Sequence, residues 1–346
     1  MPKILSIQML RAIAALLVVI SHAKILSDLY WKRYDLQNLH TTVDDLHLLG
    51  KYGVDIFFVI SGFIMAYIVD TKYKNYGYIT IFLKKRILRI VPLYWICCSV
   101  LALLLYFFPS IFSRMSFNFK EIVLTYLFIP YTPSGSNGCP IYEVGWTLSY
   151  EMYFYLIVAI SLVMDKKTSI LSMGIFFILC TLMNTYSETP ITKLLTSPFL
   201  LLFYAGFLLG HLYNSSYTAS VSISYICIAC GVIIPIYLLF FDFNALVCAF
   251  GAFVLTAGFV FLDKKNKPHI PKTFILLGDS SYSLYLTHYM AVPFLGKLFV
   301  KSNLVHFMSP LLFITTLTLV CCIIAVLSYF TLERTTARCL RPLFKV

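Results

Sequence analysis

The chain has 346 residues, of which 60% are apolar, 17% aromatic and only 12% charged, and its mean hydropathy is +0.85. That balance excludes an ordinary soluble domain and reads as an all-α integral membrane protein, with room for about ten spans of roughly 20 residues each. The formal charge of +12 is accounted for largely by basic flanks of the spans, so nucleic-acid binding is not needed to explain it.

Apolar runs bounded by charges and turn residues predict spans near 5 to 24, 53 to 70, 88 to 108, 146 to 164, 168 to 184, 194 to 213, 221 to 240, 245 to 262, 274 to 297 and 310 to 331. A weaker piece at 120 to 130 ends at Pro130 and reads as a short re-entrant or surface helix. With the N-terminus inside, the inner segments carry 17 Lys and Arg and the outer ones 9. The positive-inside rule therefore puts both termini in the cytoplasm, around a single ten-helix bundle spanning residues 1 to 346. The N-terminal segment lacks a small-residue cleavage site and reads as a retained first span. Of the ten cysteines, Cys97, Cys98, Cys180, Cys227, Cys230, Cys248, Cys321 and Cys322 fall in apolar runs and act as small hydrophobes. Cys139 and Cys339 read as loop-borne. No metal-ligand spacing is present, so no metal is expected.

Polar residues inside the spans carry the functional signal. The first span contains "RAIAALLVVISH", in which Arg11 and His22 are about three turns and roughly 16 Å apart on one helix face. A guanidinium at that depth costs at least a few kcal/mol unless it faces a partner or a wet cavity. Either residue alone could snorkel or cap; together they point to a polar path through the bundle. The first outer segment, 25 to 52, mixes Tyr30, Trp31, Lys32, Arg33, Tyr34, Asp44 and Asp45. With the turn-rich segment 131 to 145, it would suit either a plain connection or a carbohydrate platform.

In the second span, "GVDIFFVISGF" brings Asp55 in from the outer side, where an acid near His22 would fix its tautomer. Ser61 and Gly62 would permit close helix contact. The third span opens with "LKKRILRIVPLYW". Arg86 and Arg89 share a face at i, i+3 and are either an inside-positive flank or a phosphate-binding pair. The fourth opens with "EVGWTLSYEMYFY", with Glu143 at its outer mouth and Glu151 one to two turns inside, where a carboxylate is rare and usually partnered. The ninth, "LGDSSYSLYLTHYM", is expected to be N-capped by Asp279 or Ser280. Ser281, Tyr285 and His288 form a stripe along it. By depth, Arg11, Arg86 and Arg89 fall in the inner half and His22, Asp55 and Glu151 in the outer half, which suggests a phosphate-bearing donor inside and an acceptor outside.

Five blocks in this order, "SIQMLRAIAALLVVISH", "GVDIFFVISGFIM", "KKRILRIVPLYW", "GWTLSYEMYFYL" and "SYSLYLTH", resemble the membrane-bound acyltransferase-3 family of bacterial O-acyltransferases. The first and fourth look most like its exopolysaccharide-modifying branch. The resemblance implies a ten-span protein of the bacterial inner membrane that moves an acyl group, usually acetyl from acetyl-CoA, to hydroxyls of surface or lipid-linked glycans. It implies roles for Arg11, His22, Asp55, Arg86, Arg89, Trp146, Glu151, Tyr285 and His288. Many relatives carry an appended extracytoplasmic esterase-like domain, which is not seen in this sequence. A separate periplasmic protein would then be one route to complete transfer.

The expected mechanism has His22 as general base, oriented by Asp55 or Glu151. Arg11, Arg86, Arg89, Tyr285 and His288 are expected to hold the donor, and Trp146 and Glu143 the acceptor. An acyl-histidine intermediate is the variant. The rival reading is a transporter or flippase of a glycan or small anion that uses Arg11 and His22 as its path.

Overall fold

The computed structural model describes residues 3–34, 44–108, 117–132, 141–240 and 244–344. Cys139, the middle of both outer segments and most of the connection from Phe241 to Asn244 lie outside them. Among the described residues the regular structure is entirely helical. Six helical stretches are long and apolar enough to cross a membrane: Leu5–Arg33, Leu46–Val69, Tyr76–Phe107, Pro190–Asn214, Ala245–Asn266 and Pro310–Phe344. The other four expected spans also contain helices, but these are shorter or more polar.

Helix α1 (Leu5–Arg33) is the hub, packing against α2 (Leu49–Val69), α10 (Ala245–Asn266), α11 (Lys272–Asp279), α12 (Ser281–Lys301) and α13 (Pro310–Ser328). Around it stand α3 (Tyr76–Phe107), α5 (Trp146–Ser161), α6 (Lys166–Leu182), α8 (Phe199–Asn214) and α9 (Val221–Leu238), with short helices α4 (Phe119–Tyr126) and α7 (Pro190–Leu195) between them. Helix α14 (Arg334–Phe344) follows a π-helical turn at Tyr329–Glu333. Starts are set by side chains that accept orphan backbone N–H groups. Asn75, Asn118, Asp165, Ser220, Asn244 and Ser309 cap α3, α4, α6, α9, α10 and α13 in this way.

Three boundaries differ from expectation. No breaker interrupts α1 before Tyr34, so it runs nine residues past the expected end at 24. Tyr30 and Trp31 are therefore buried against Phe313, at ring separations of 6.1 and 5.4 Å, rather than displayed as a carbohydrate platform. The third span starts at Tyr76, so Arg86 and Arg89 lie inside a continuous helix. The ninth breaks at Ser280, whose hydroxyl donates to the Leu276 and Leu277 carbonyls and caps nothing, while Asp279 pairs with Lys3 at 2.6 Å. Cys339 lies on α14 rather than in a loop.

The small residues of α2 do permit close packing. A Cβ on Gly62 would stand 1.8 Å from the Phe203 carbonyl oxygen, and one on Gly206 would stand 2.0 Å from that of Val59. Backbone cannot yield as a side-chain tip can, so Gly206→Ala is expected to push α2 and α8 apart at a cost of about 1–3 kcal/mol or more. Thermal unfolding in detergent should show a clear drop, with Gly77→Ala, whose added Cβ meets only the Asn75 side chain at 3.7 Å, as the near-neutral control.

At the end of α2, Asp70 Oδ1 lies 2.6 Å from Lys166 Nζ and 2.9 Å from His211 Nδ1, tying α2, α6 and α8 together. Burial pushes the Asp70 carboxyl up, but the hydrogen bonds from Lys166 and His211 outweigh it and hold the group below the ordinary carboxylate range. A folded pKa below the unfolded value of about 3.9 stabilises the fold above that value and is lost as pH falls through it. The part of the unfolding temperature that Asp70 contributes should stay level from pH 7 to about 5 and be lost below about 4. Asp70→Asn should lower the temperature at pH 7 and flatten this acid limb.

Candidate active site

Helices α1, α2, α3, α5, α8 and α12 converge on a narrow cavity of about 80 Å³ whose polar lining includes Arg11, Ser61, Arg89, Glu151, Tyr155 and Tyr285. Glu151 is its centre. Its Oε1 accepts hydrogen bonds from the Ser61 hydroxyl, at 2.9 Å, and from the Tyr155 hydroxyl, one turn further along α5. Tyr155 also hydrogen-bonds Arg86, whose guanidinium sits 5.8 Å from the Tyr155 ring and 5.9 Å from that of Phe82. The resulting chain Ser61–Glu151–Tyr155–Arg86 links α2, α5 and α3. It satisfies the carboxylate with two donors and places a cation behind it, which is what a buried charge requires. Arg11 enters from α1, donating to Gln8 Oε1 at 3.4 Å, with Arg89, Glu333, Asp279 and Glu151 as its charged neighbours.

Glu151 therefore belongs with the arginines and not, as its distance from the outer mouth suggested, with His22. The acid placed beside His22 is also elsewhere. Asp55 is buried and hydrogen-bonded to Cys248 of α10. Six residues of helix turn through about 600°, so Asp55 and the cavity-lining Ser61 face different neighbours.

His22 is oriented by neither acid. Its Nδ1 lies 2.9 Å from the Val18 carbonyl one turn back, and a carbonyl only accepts, so Nδ1 carries the hydrogen and Nε2 the lone pair. His288 repeats the arrangement on α12, with Nδ1 3.0 Å from the Leu284 carbonyl and Nε2 buried without a hydrogen-bond partner. The two imidazoles meet edge to face, their centroids 4.9 Å apart. His288 thus lies beside His22 and not among the arginines. Tyr285 joins the two regions: it lines the cavity, its ring centroid is 6.0 Å from that of His288, and its hydroxyl bonds Thr147 Oγ1 at 2.7 Å and the Val144 carbonyl at 3.1 Å.

At the start of α5, Trp146 packs with Tyr150, Phe199 and Phe58 at ring separations of 5.7, 5.6 and 6.0 Å. Glu143 is exposed on the preceding 3-10 turn. Among the described residues no group of three His, Cys, Asp or Glu side chains is placed to hold a metal.

A second, larger recess of about 750 Å³ lies between α3 and α14, lined by Lys85, Arg86, Arg89, Arg334, Arg338 and Arg341 among others. Arg89 lines both spaces. Glu333, beside this recess, accepts from Ser283 Oγ at 2.6 Å. Sequence reasoning missed Tyr155, Glu333 and the α14 arginines as parts of one site. Tyr155 at i+4 from Glu151 was a readable signal, whereas nothing local shows that a π-helical turn folds the tail back onto α3.

The family model described as an acyltransferase domain matches residues 4–330. The chain belongs to the acyltransferase-3 family. The exopolysaccharide production protein ExoZ of Rhizobium meliloti (strain 1021) is 30% identical over 257 residues, covering 72% of this chain and 78% of that protein. No solved structure matches the chain. Membership makes this a multi-pass membrane acyltransferase of the exopolysaccharide branch and gives the buried polar chain and the paired histidines a chemical context.

Proposed function

We propose that the protein is an O-acyltransferase of the bacterial inner membrane, with both termini in the cytoplasm, that moves acetyl from acetyl-CoA to a sugar hydroxyl of a surface or lipid-linked polysaccharide. The observation that carries this reading is Arg89, which lines both the basic recess and the cavity containing Glu151 and so provides one boundary through which a phosphate-bearing donor would reach the interior. The name of the Rhizobium relative, a protein of exopolysaccharide production, supports the acceptor class.

In this mechanism Arg86 and Arg89 hold donor phosphates through forked, charge-assisted hydrogen bonds. The thioester arm follows the face of α1 from Arg11 toward His22, a separation of roughly 16 Å. His22 Nε2 takes the proton of the acceptor hydroxyl as its oxygen attacks the thioester carbonyl. The C–S bond breaks, the ester forms, and the imidazolium returns its proton to the departing thiolate. Glu151 fixes Tyr155 and balances the arginines. Trp146, at the start of α5, and Glu143, on the turn before it, contact the sugar.

The protein purified with its lipids, given acetyl-CoA and extracted surface glycan, is expected to release free CoA thiol and form alkali-labile acetate on the glycan in equal amounts. Absence of both products with every donor and glycan tried, together with substrate movement across reconstituted vesicles, would overturn the proposal in favour of a transporter.

A further inference from the structure

Helix α14 is short, basic on one side and follows a π-helical turn, a distortion that recurs at functional sites. Arg334, Arg338 and Arg341 occur at i, i+4 and i+7 and share one face. That face lines the recess opposite Lys85, Arg86 and Arg89 of α3. Helix α14 is held there by Lys84 Nζ, which donates to the Phe344 carbonyl at 3.3 Å. Six cations thus surround the recess, and its one lining carboxylate, Glu333, is bonded to Ser283.

A second observation points to a ligand. Arg86 lines this recess at only 8% exposure, and its Nε and Nη1 have no hydrogen-bond partner. Buried guanidinium donors are costly to leave unpaired. Nε–H and Nη1–H point along different edges of the guanidinium, so meeting both takes phosphate oxygens on two phosphoryl groups, as a diphosphate entering between α3 and α14 offers.

We infer that the recess is a phosphate site built from two helices, in which α3 holds the diphosphate of the donor and the arginines of α14 hold its ribose 3′-phosphate. This rests on the acetyl-CoA reading and deepens it. It makes the C-terminal helix a specificity element that separates acetyl-CoA from a donor lacking the 3′-phosphate. The same chemistry is offered by the headgroup of an anionic phospholipid, since a basic helix beside a membrane also attracts lipid phosphate.

The test uses the full chain in phosphatidylcholine nanodiscs, wild type and Arg338→Gln/Arg341→Gln. Both arginines are exposed, so their loss leaves packing intact, and Arg338→Lys/Arg341→Lys keeps the charge as a partial rescue. Binding of adenosine 3′,5′-bisphosphate is compared with that of adenosine 5′-monophosphate, and KM for acetyl-CoA with that for acetyl-dephospho-CoA. The wild type is expected to prefer the bisphosphate by about tenfold or more, the Gln variant to lose that preference, and its KM to rise for acetyl-CoA only. A preference unchanged in the variant, or absent from the wild type, overturns the inference. So does a variant that loses only binding of added phosphatidylglycerol, because the patch is then a lipid site. If the bisphosphate binds through α14 yet no acetyl is transferred, the phosphate site stands and the transferase reading falls. If acetyl is transferred with the same discrimination in both proteins, the reading stands and the site falls.

Discussion

His22→Ala is expected to lower acetyl transfer by about 10²–10⁴-fold, the usual worth of a positioned general base, without weakening donor binding. The geometry makes this a chemical effect and not a structural one. His22 makes its protein hydrogen bond through Nδ1 to its own helix, at 2.9 Å from the Val18 carbonyl, and that bond leaves Nε2 as the nitrogen free to take a proton. Among the described residues, removing the ring breaks no hydrogen bond between helices and gives up the edge-to-face contact with His288, whose centroid is 4.9 Å away. In the proposed mechanism the donor is held elsewhere, by the arginines of α3. Thiol release and glycan acetate should therefore fall together in single-turnover assays, with acetyl-CoA binding unchanged by direct titration. A variant that loses binding and chemistry in proportion would remove His22 from the role of base.

Arg89→Ala should act on the opposite term. Arg89 is exposed and lines both the basic recess and the inner cavity, so it is available to a ligand from either space and packs little. A hydrogen bond to a charged group is worth about 1.5–3 kcal/mol, which corresponds to a rise in donor KM of roughly 10- to 150-fold. The KM for the glycan should not move. Arg86→Ala is the less clean experiment, because Arg86 is buried and hydrogen-bonded to Tyr155, which itself donates to Glu151. Its loss would leave the carboxylate without the cation behind it and cost stability as well as affinity. A fall in kcat with donor affinity unaltered in Arg89→Ala would remove the phosphate-holding role.

The individual signals were legible where they are local. Arg11, Glu151 and the Arg86/Arg89 pair stood out because a charge in an apolar run has few inexpensive places to go. All four lie at or beside one of the two cavities. His22 and His288 were noticed for the same reason, but not as a pair. They come from helices at opposite ends of the chain, and only the packing of α12 on α1 puts the rings in contact. Asp55 shows the reverse failure. Shared depth suggested an acid for His22, whereas the helix rotation between Asp55 and Ser61 turns the acid toward Cys248.

Composition and periodicity by themselves determined that the chain is helical and lives in a membrane, where its apolar runs begin, and which residues are too polar to face lipid. These follow from the cost of exposing backbone and charge to hydrocarbon, a cost paid residue by residue and so written locally. The tertiary structure alone decided which of those residues meet. It carried α1 on to Arg33, joined Ser61, Glu151, Tyr155 and Arg86 across three helices, and folded α14 over the arginines of α3. Such partnerships depend on how each helix is rotated and tilted against its neighbours. That is set by contacts such as the glycine-lined crossing of α2 and α8, between residues far apart in the chain.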